Sequence, residues 1–387
     1  MKRNKEKIEI ADIFRDKFGD FLLKNNLPSD KIKVINAIIN CRTIAYGFHT
    51  DKCDECGEIR ISYNSCTNRH CPKCQSLASK RWLEKRIDEL LPVQYFHVVF
   101  TIPDDLNLIM LTNQKKMYQI FFEAMSQTLL DLSEDKYKAK TGIISILHTW
   151  GQNISYHPHI HCIIPGGGLT EDELNWNHSK KKFLISVKIL SAVFKGKFME
   201  LFKKSCKKEE IIFTGENIKL NNQFNLKRLI NELYNKNWIV FAKKPFGSPK
   251  QVLRYLGRYT HKVAISNKRI LKYENGEVSF RWKDYKDGGK SKIMILKVEE
   301  FIRRFLLHIL PNGFFKIRYY GIFSNRIRKK MTDICRKILN ITNEKVSEIK
   351  IEWEEILGKG IKNVCPCCGN GKMKMISRYH PKWMRKS

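Results

Sequence analysis

The chain has 387 residues and carries 72 Lys and Arg against 39 Asp and Glu, which gives a formal net charge of +33. A charge this large and of one sign predicts a polyanionic partner, and nucleic acid is the economical choice. A basic protein of the membrane surface is the alternative, but the sequence has no run of about eighteen apolar residues. No apolar segment follows the basic residues 1–9, so we expect no signal peptide and a bacterial, cytoplasmic, nucleoid-associated protein that does not bind membranes.

The apolar periodicity predicts an α+β chain that opens with helices up to about residue 40. A cysteine-rich region and a basic amphipathic helix follow. Next come a strand, a long helix and two adjacent strands, which together open a split β-α-β unit, and a later helix, strand and helix would continue the α+β sandwich. After the cysteines, the predicted elements lie at residues 76–91, 95–102, 106–132, 142–150, from 157, 224–235, 238–242 and from 248, before a basic region at 301–331.

Twelve cysteines in a chain with no expected export signal favour metal binding over disulfides. Cys53 and Cys56 form one C-x2-C knuckle, Cys71 and Cys74 form another, and fourteen residues separate the two. A tetrahedral thiolate site needs two such turns brought face to face, and the alternating residues 58–63 could form the strand that does so. The sequence therefore predicts a structural Zn²⁺ held by these four cysteines.

Other metal-ligating residues lie near the knuckles and in the C-terminal tail. Those near the knuckles could bind a second zinc or replace a ligand of the first. They are Cys41, His49, Cys66 and His70. In the tail, Cys365 and Cys368 supply half of a four-ligand site, which His380 or a ligand from elsewhere would complete.

Three histidines alternate with other residues between positions 157 and 161. Residues i, i+2 and i+4 of a strand share one face, so His157, His159 and His161 would project together while the apolar residues between and after them face the core. Imidazole is the commonest metal ligand in proteins, so the pattern predicts a divalent metal site rather than a strand that merely contains histidines. The pattern alone leaves open which two of the three bind.

A tyrosine pair lies in a basic segment further along the chain. Tyr255 and Tyr259 are four residues apart, so their side chains would share one face of a helix, although Gly257 between them weakens the prediction of a helix. Nearby cations or a metal would favour the nucleophilic phenolate. Tyrosines at this spacing are also common as packing or base-stacking residues. The basic neighbours are Arg254, Arg258, His261 and Lys262.

Longer motifs carry a resemblance over most of the chain. In order they are CRT (41–43), ISYNSCTNRHCPKC (61–74), YFHVVFTIP (95–103), LHTWGQ with HPHIHCIIPGGG (147–168) and PFGSPKQVLRYLGRYTHKVAISN (245–267). Together with the cysteine-rich N-terminus and the tyrosine pair, these motifs resemble the HUH rolling-circle transposases of the insertion sequence 91 type, which are two-tyrosine enzymes with an N-terminal zinc-binding domain.

This resemblance implies a palm-like antiparallel sheet and three regions of the chain. Residues 1–91 would be a helical, zinc-binding DNA-recognition domain, residues 92–300 the HUH endonuclease domain, and residues 301–387 a basic region that could hold a second zinc knuckle. The resemblance also implies that His159 and His161 hold Mg²⁺ or Mn²⁺. Gln152 is the best candidate for the third ligand, with His148 behind it.

The implied reaction is metal-dependent cleavage of single-stranded DNA at the element's ends and at the target. Tyr255 or Tyr259 would attack phosphorus, which gives a 5′-phosphotyrosine and a free 3′-OH, and the second tyrosine would permit strand transfer. Arg254, Arg258 and Lys262 are expected to bind the DNA. The order of the two tyrosines and the oligomeric state stay open.

Three rival functions remain at this stage. A plasmid or phage replication initiator or relaxase would use the same chemistry, but the cysteine-rich N-terminus and the YLGRYTHKVAISN segment favour the transposase. A non-catalytic zinc-dependent DNA-binding protein explains the charge and the cysteines but not the histidine strand. A metallohydrolase with an activated water would form no covalent adduct between protein and DNA.

Overall fold

The computed structural model describes residues 8–87, 89–179, 185–246, 252, 263–340 and 364–381. The helices are α1 (Ile10–Lys24), α2 (Ser29–Ile39), α3 (Pro72–Ile87), α4 (Asn107–Thr112), α5 (Gln114–Tyr137), α6 (Val187–Lys207), α7 (Gln223–Asn235), α8 (Val298–Leu307) and α9 (Arg328–Ile338). The strands are β1 (Phe48–Cys53), β2 (Ile59–Tyr63), β3 (Tyr95–Thr101), β4 (Gly142–Trp150), β5 (Tyr156–Pro165), β6 (Gly167–Leu169), β7 (Trp176–His178), β8 (Val240–Phe246), β9 (Ile270–Glu274), β10 (Glu277–Asp284), β11 (Lys290–Lys297), β12 (Ile317–Gly321) and β13 (Met373–Tyr379).

A five-stranded sheet with the order β12-β4-β5-β3-β8 forms the centre, and each pair of neighbouring strands in it is antiparallel. Strands β3 and β4 both run antiparallel to β5, so they are parallel to each other, with β5 between them and helices α4 and α5 in their connection. This is the split β-α-β arrangement that the sequence predicts, and the antiparallel sheet is confirmed.

The two faces of this sheet have different neighbours. Val98, Leu147 and Ile160 point into a large apolar core that also contains buried residues of α5 and α6. The opposite face carries Ile146 and Ile163, which pack with residues of α3 and α9. Because side chains alternate along a strand, the histidines of β5 lie on this second face.

A second apolar core joins the N-terminal helices to the middle of the chain. Buried residues of α1 and α2 pack against α8 and the three-stranded sheet β11-β10-β9. A reciprocal cap opens α1: the backbone N–H of Glu9 donates to the side chain of Asp12, and the Glu9 side chain accepts from the backbone at the same turn. The N-terminal region is therefore fixed to later parts of the chain rather than standing apart.

Strands from the two ends of the chain form a third sheet, with the order β13-β1-β2. Strand β12 of the central sheet also comes from the last quarter of the chain. Strands on both sides of the expected boundary at residue 300 therefore pair with each other.

Several predicted boundaries differ from the observed ones. The helix predicted over residues 106–132 is two helices, because Asn113 leaves the helical conformation and its side chain hydrogen bonds with the backbone of both Ile109 and Ile212. The basic helix predicted over residues 76–91 begins at Pro72 and ends at Ile87. The strand predicted over residues 238–242 is β8, which begins at Val240 and ends at Phe246. Trp238 lies before this strand, and its indole N–H donates to the Leu233 carbonyl. The helix predicted from residue 248 lies outside the described residues, apart from Val252.

Close backbone packing explains the glycine run after β5. At Gly167, with φ of 141°, a Cβ atom would lie 2.2 Å from the carbonyl oxygen of Asn177 on β7. A side chain at this position would therefore separate β6 from β7. Among the described residues, no helix has the length and apolar character needed to cross a membrane.

Candidate metal centres

Three imidazoles meet on one face of the central sheet. His159 and His161 come from β5, and His148 comes from β4, directly opposite His159 in the strand register. One ring nitrogen of each lies within 4.8 Å of the other two. His148 and His161 are buried, whereas His159 is half-buried, so the cluster lies at the edge of the buried part of this face.

Hydrogen bonds orient two of these rings. Nδ1 of His159 lies 2.8 Å from the carbonyl oxygen of His157, so it donates there, and Nε2 is the ring nitrogen that carries the acceptor lone pair a metal would use. Nδ1 of His161 forms a 3.0 Å hydrogen bond with Nε2 of His97 on β3, and the two rings stack at 5.2 Å. Partners of this kind fix the ring and the tautomer of a metal-binding histidine.

Residues that the sequence analysis missed or ranked low support the centre. His148 supplies the third imidazole, and its ring stacks on Trp150 at 4.6 Å. His97 was not predicted as part of the site. The alternation of side chains along a strand could have predicted both positions. His148 lies two residues after Ile146 and therefore on the same face of β4. His97 lies on the same face of β3 as Val99, which pairs with His161.

His157 and Gln152 occupy other positions. His157 lies beside the cluster, 3.8 Å from the Asp104 carboxylate, and is not part of the three-imidazole group. Gln152 lies in the turn between β4 and β5, where its backbone carbonyl accepts a hydrogen bond from the Arg269 guanidinium. Its role as a metal ligand stays a prediction.

The predicted tyrosines, Tyr255 and Tyr259, lie outside the described residues, as do the basic neighbours Arg254, Arg258 and Lys262. The described residues nearest to this segment are Val252 and Val263. Val252 is buried and belongs to the apolar cluster that also contains Ile146 and Ile163 of the histidine face. Val263 lines a pocket together with Trp150, which stacks on His148.

The first of two four-cysteine clusters lies in the N-terminal region. Cys41 follows α2, Cys66 and Cys71 lie in the loop before α3, and Cys74 lies in its first turn; their four Sγ atoms are within 4.8 Å of one another. Sγ of Cys74 is 3.5 Å from both Cys41 and Cys66. Hydrogen bonds among the four thiols lower the pKa of Cys74 and raise those of Cys66 and Cys71, so a metal that binds all four sulfurs would displace protons from the group.

The second cluster corrects the predicted zinc site. Cys53 and Cys56 meet Cys365 and Cys368 of the tail, not Cys71 and Cys74. The prediction of one site from the four knuckle cysteines is therefore wrong: each knuckle joins a different cluster. The physical reason is that β1, which ends at Cys53, pairs with β13 from the C-terminal part of the chain.

The other candidate ligands are divided in the same way. Cys41 and Cys66 join a metal-ligand group as predicted, whereas His49 and His70 join none among the described residues. His49 pairs instead with Asp51 at 3.4 Å, and His70 lines the pocket beside Trp150. Cys365 and Cys368 of the tail are joined by Cys53 and Cys56, and not by His380, in the group of four possible ligands.

Two family profiles match the chain. One, described as "Transposase zinc-binding domain", matches residues 13–102, and one described as "Putative transposase" matches residues 142–331. The "Putative transposase y4qJ" of Sinorhizobium fredii (strain NBRC 101917 / NGR234) is 43% identical over 378 residues, which are 95% of this chain and 94% of the relative. The "Transposase for insertion sequence element IS801" of Pseudomonas savastanoi pv. phaseolicola is 24% identical over 316 residues, which are 80% of this chain and 74% of the relative.

This chain belongs to the insertion sequence 91 type of transposase, with an N-terminal zinc-binding domain. No solved structure matches it. In this transposase the first cysteine cluster lies wholly within the matched zinc-binding domain, and the three imidazoles lie in the part matched as a transposase. The zinc-binding domain and the cysteine clusters support structural Zn²⁺, because four thiolates are the usual ligand set of such sites.

Proposed function

We propose that this transposase cleaves and rejoins single-stranded DNA at the ends of its insertion sequence by HUH-type chemistry. His148, His159 and His161 would hold the divalent metal. The observation that carries the proposal is the meeting of three imidazoles on one face of an antiparallel sheet. The opposite face of the same strands is a packed apolar core, which gives the ligands a rigid support.

The donor set is suited to an ion that keeps coordination positions for a substrate. Three nitrogens leave such positions free, and His159 lies at the more exposed side of the cluster. A bound Mg²⁺ or Mn²⁺ would polarise the scissile phosphate and offset the negative charge that develops on the leaving 3′ oxygen. Imidazoles alone would also suit zinc, but a phosphate substrate favours a hard ion.

In the proposed reaction the hydroxyl oxygen of Tyr255 or Tyr259 attacks phosphorus. The bond between phosphorus and the 3′ oxygen breaks, a 5′-phosphotyrosine forms, and the departing strand takes up a proton as a free 3′-OH. The phosphodiester energy is kept in the new bond, so rejoining needs no ATP. The second tyrosine would cleave again while the first DNA end stays attached.

The described ends of the tyrosine segment support this assignment. Tyr255 follows Val252 by three residues, and three residues span at most about 11 Å. Val252 is fully buried and belongs to the apolar cluster that also contains Ile146 and Ile163, which lie on the face that carries the histidines. Arg254, Arg258 and Lys262 are proposed to bind the DNA phosphates, in keeping with a net charge of +33.

The test is a cleavage assay on a labelled single strand that carries the element's end, with Mg²⁺ or Mn²⁺, resolved on a denaturing gel. The native protein is compared with His159→Ala, Tyr255→Phe and Tyr259→Phe. His157→Ala is the matched control, since it removes a neighbouring imidazole that is not in the cluster.

A covalent protein–DNA band that requires metal and His159, persists in His157→Ala and is lost in one or both tyrosine variants is the expected result. Cleavage without an adduct would replace the proposal with metal-activated hydrolysis. Tight binding of a verified cognate end without cleavage would leave a DNA-binding protein instead of an enzyme.

A further inference from the structure

The second cysteine cluster joins residues from opposite ends of the chain. Sγ of Cys53 lies 3.8 Å from Sγ of Cys368, and Sγ of Cys56 lies 3.5 Å from Sγ of Cys365; positions 56 and 365 are 309 residues apart. Four thiolates around one Zn²⁺, each with a bond of about 2.3 Å, form a tetrahedron whose edges are about 3.8 Å. The observed spacing is therefore that of a four-thiolate zinc site.

The two halves of the cluster have the same local structure. They read Cys-Asp-Glu-Cys-Gly at 53–57 and Cys-Pro-Cys-Cys-Gly at 365–369, and both Gly57 and Gly369 have φ of 74°. In each half a backbone N–H two residues after the first cysteine, that of Glu55 or Cys367, lies 3.4 Å from that cysteine's Sγ. Backbone donors aimed at sulfur stabilise thiolates, and two matching turns form a built site.

The surrounding contacts tie the halves together closely. The Asp54 N–H donates to the Lys372 carbonyl, and the Lys372 N–H donates to the Asp54 carboxylate at 2.7 Å. A Cβ atom at Gly371 would lie 2.4 Å from Sγ of Cys53, so only glycine permits this approach.

The apolar core at this position is small. Its buried members are Cys53, Cys365 and Met373, with Cys368 packed against them. A core of this size does not stabilise a sheet by itself, and small domains of this kind depend on a metal or a similar cross-link. The matched zinc-binding domain ends at residue 102 and the transposase match ends at residue 331, so Cys365 and Cys368 lie outside both.

We propose that Cys53, Cys56, Cys365 and Cys368 bind a second structural Zn²⁺ that fastens the C-terminal strand β13 to the N-terminal β1–β2 hairpin. Nearly the whole transposase would thus be inserted between the two halves of one zinc site. Loss of this ion would release β13 while the first cysteine cluster and the central sheet stay folded, because neither uses these four residues. The proposal does not depend on the cleavage chemistry.

The test compares the zinc content of the purified full-length protein, measured by inductively coupled plasma mass spectrometry, with that of Cys365→Ser and Cys367→Ser. Cys367 is exposed and belongs to neither cluster, so its variant is the matched control. We expect Cys365→Ser to contain about one zinc fewer per chain than the native protein and Cys367→Ser to contain the same amount. Equal zinc in Cys365→Ser and the native protein would overturn the proposal.

Alkylation with a maleimide, followed by peptide mass spectrometry, shows whether the ion links the chain ends. In Cys365→Ser, Cys53 and Cys56 should become reactive while Cys71 stays protected. Continued protection of Cys53 and Cys56 would contradict the link.

The conservative variant Cys368→His keeps the test decisive if the serine variant fails to fold. Zinc accepts three thiolates and one imidazole, so this protein should keep the full zinc content and a protected Cys53. A Cys368→His protein that folds with reactive Cys53 and full zinc content would place the ion elsewhere and overturn the proposal.

Discussion

The histidine cluster and the second cysteine cluster differ in how far apart their ligands lie along the chain. His148, His159 and His161 come from two strands joined by the turn at residues 151–155, whereas Cys56 and Cys365 are 309 residues apart. The histidine cluster needs only the β4–β5 hairpin to form, whereas the second cysteine cluster needs the N-terminal β1 and the C-terminal β13 to pair. The candidate ligands differ as well: under the proposals above, three imidazoles would leave coordination positions for a substrate, whereas four thiolates would fill the coordination shell of a zinc ion. One centre is therefore suited to chemistry and the other to holding the fold.

Zinc removal should separate the cysteine-bound parts of the fold from the central sheet that carries the histidine cluster, and this is the largest expected effect. We expect Cys71→Ser, or a strong chelator, to unfold the region around the first cysteine cluster, because a structural zinc contributes on the order of 10 kcal/mol in small zinc modules. Peptides from α1 and α2 should lose protection in hydrogen-exchange mass spectrometry, while peptides from β4 and β5 keep theirs.

Cys206→Ser is the matched control for this experiment, since Cys206 is partly buried on α6 and belongs to neither cluster. It should leave exchange in α1 and α2 unchanged. Equal loss of protection in the N-terminal helices and the central sheet would show that the two regions unfold together and would remove the distinction between them.

A substitution in the histidine centre is expected to lower the rate of DNA cleavage and to leave the fold intact. Under the proposed function, His161→Ala should lower the rate of single-strand cleavage by about 1000-fold, because it removes a metal ligand together with its hydrogen bond to His97. His157→Ala should change the rate by less than about tenfold.

Direct measurement of Mn²⁺ binding by electron paramagnetic resonance provides a second readout. The affinity should fall in His161→Ala and stay near the native value in His157→Ala. Undiminished Mn²⁺ binding in His161→Ala would exclude the three imidazoles as the site.

The two faces of β5 allow the comparison to be made within one strand. Ile160 is fully buried in the helix-covered core, between the two histidines in sequence but on the other side of the sheet. Ile160→Ala should lower the free energy of unfolding by about 2–5 kcal/mol through the cavity it leaves. Mn²⁺ affinity at low temperature should stay within a few-fold of native.

Ile61→Ala is the control for burial, since Ile61 is 56% exposed on β2, and it should change stability by no more than about 0.5 kcal/mol. Chemical denaturation followed by circular dichroism measures both variants. A mild Ile160→Ala effect would mean that the core relaxes around the cavity.

Local patterns predicted the parts of the fold that short segments determine. Strand β4 has the predicted bounds, Gly142–Trp150, because a mostly apolar segment of nine residues that is buried on both faces has few alternatives. The same reasoning placed His159 and His161 on one face, since alternation along a strand needs no knowledge of its neighbours.

Features that depend on distant partners were not predictable in this way. The interruption at Asn113 requires the backbone of Ile212, and the place of His97 requires β3 to be the neighbour of β5. Each cysteine knuckle was recognised, but its partner was misassigned, because spacing describes one turn and says nothing about which second turn faces it. The position of His148 beside His159 could have been predicted from the sequence, since the two residues face each other across the β4–β5 hairpin.

A buried histidine beside the centre gives an effect that depends on pH. His308 accepts from the Thr149 hydroxyl at 3.2 Å and donates to the Ile154 carbonyl at 3.1 Å, and burial lowers its pKa from 6.5 to about 4. The folded protein therefore keeps this imidazole neutral while the unfolded chain binds a proton near pH 6.5. Stability falls as the pH decreases from 6.5 to 4, by about 3 kcal/mol in total for this group, and the loss ends below pH 4.

His308→Gln retains a donor for Ile154 but has no proton to bind, so it should show a shallower loss of unfolding free energy between pH 6.5 and pH 4. Thermal unfolding across this range measures the difference between variant and native protein, which isolates His308 from other groups. His178→Gln, at an exposed position on β7, should keep the native slope. Parallel curves for His308→Gln and the native protein would show that this imidazole is charged, or can reach water, in the folded state. Solvent would then reach the residues between the histidine centre and the second apolar core. His308 is one of them, because its ring lies 6.0 Å from that of Trp150, which stacks on His148.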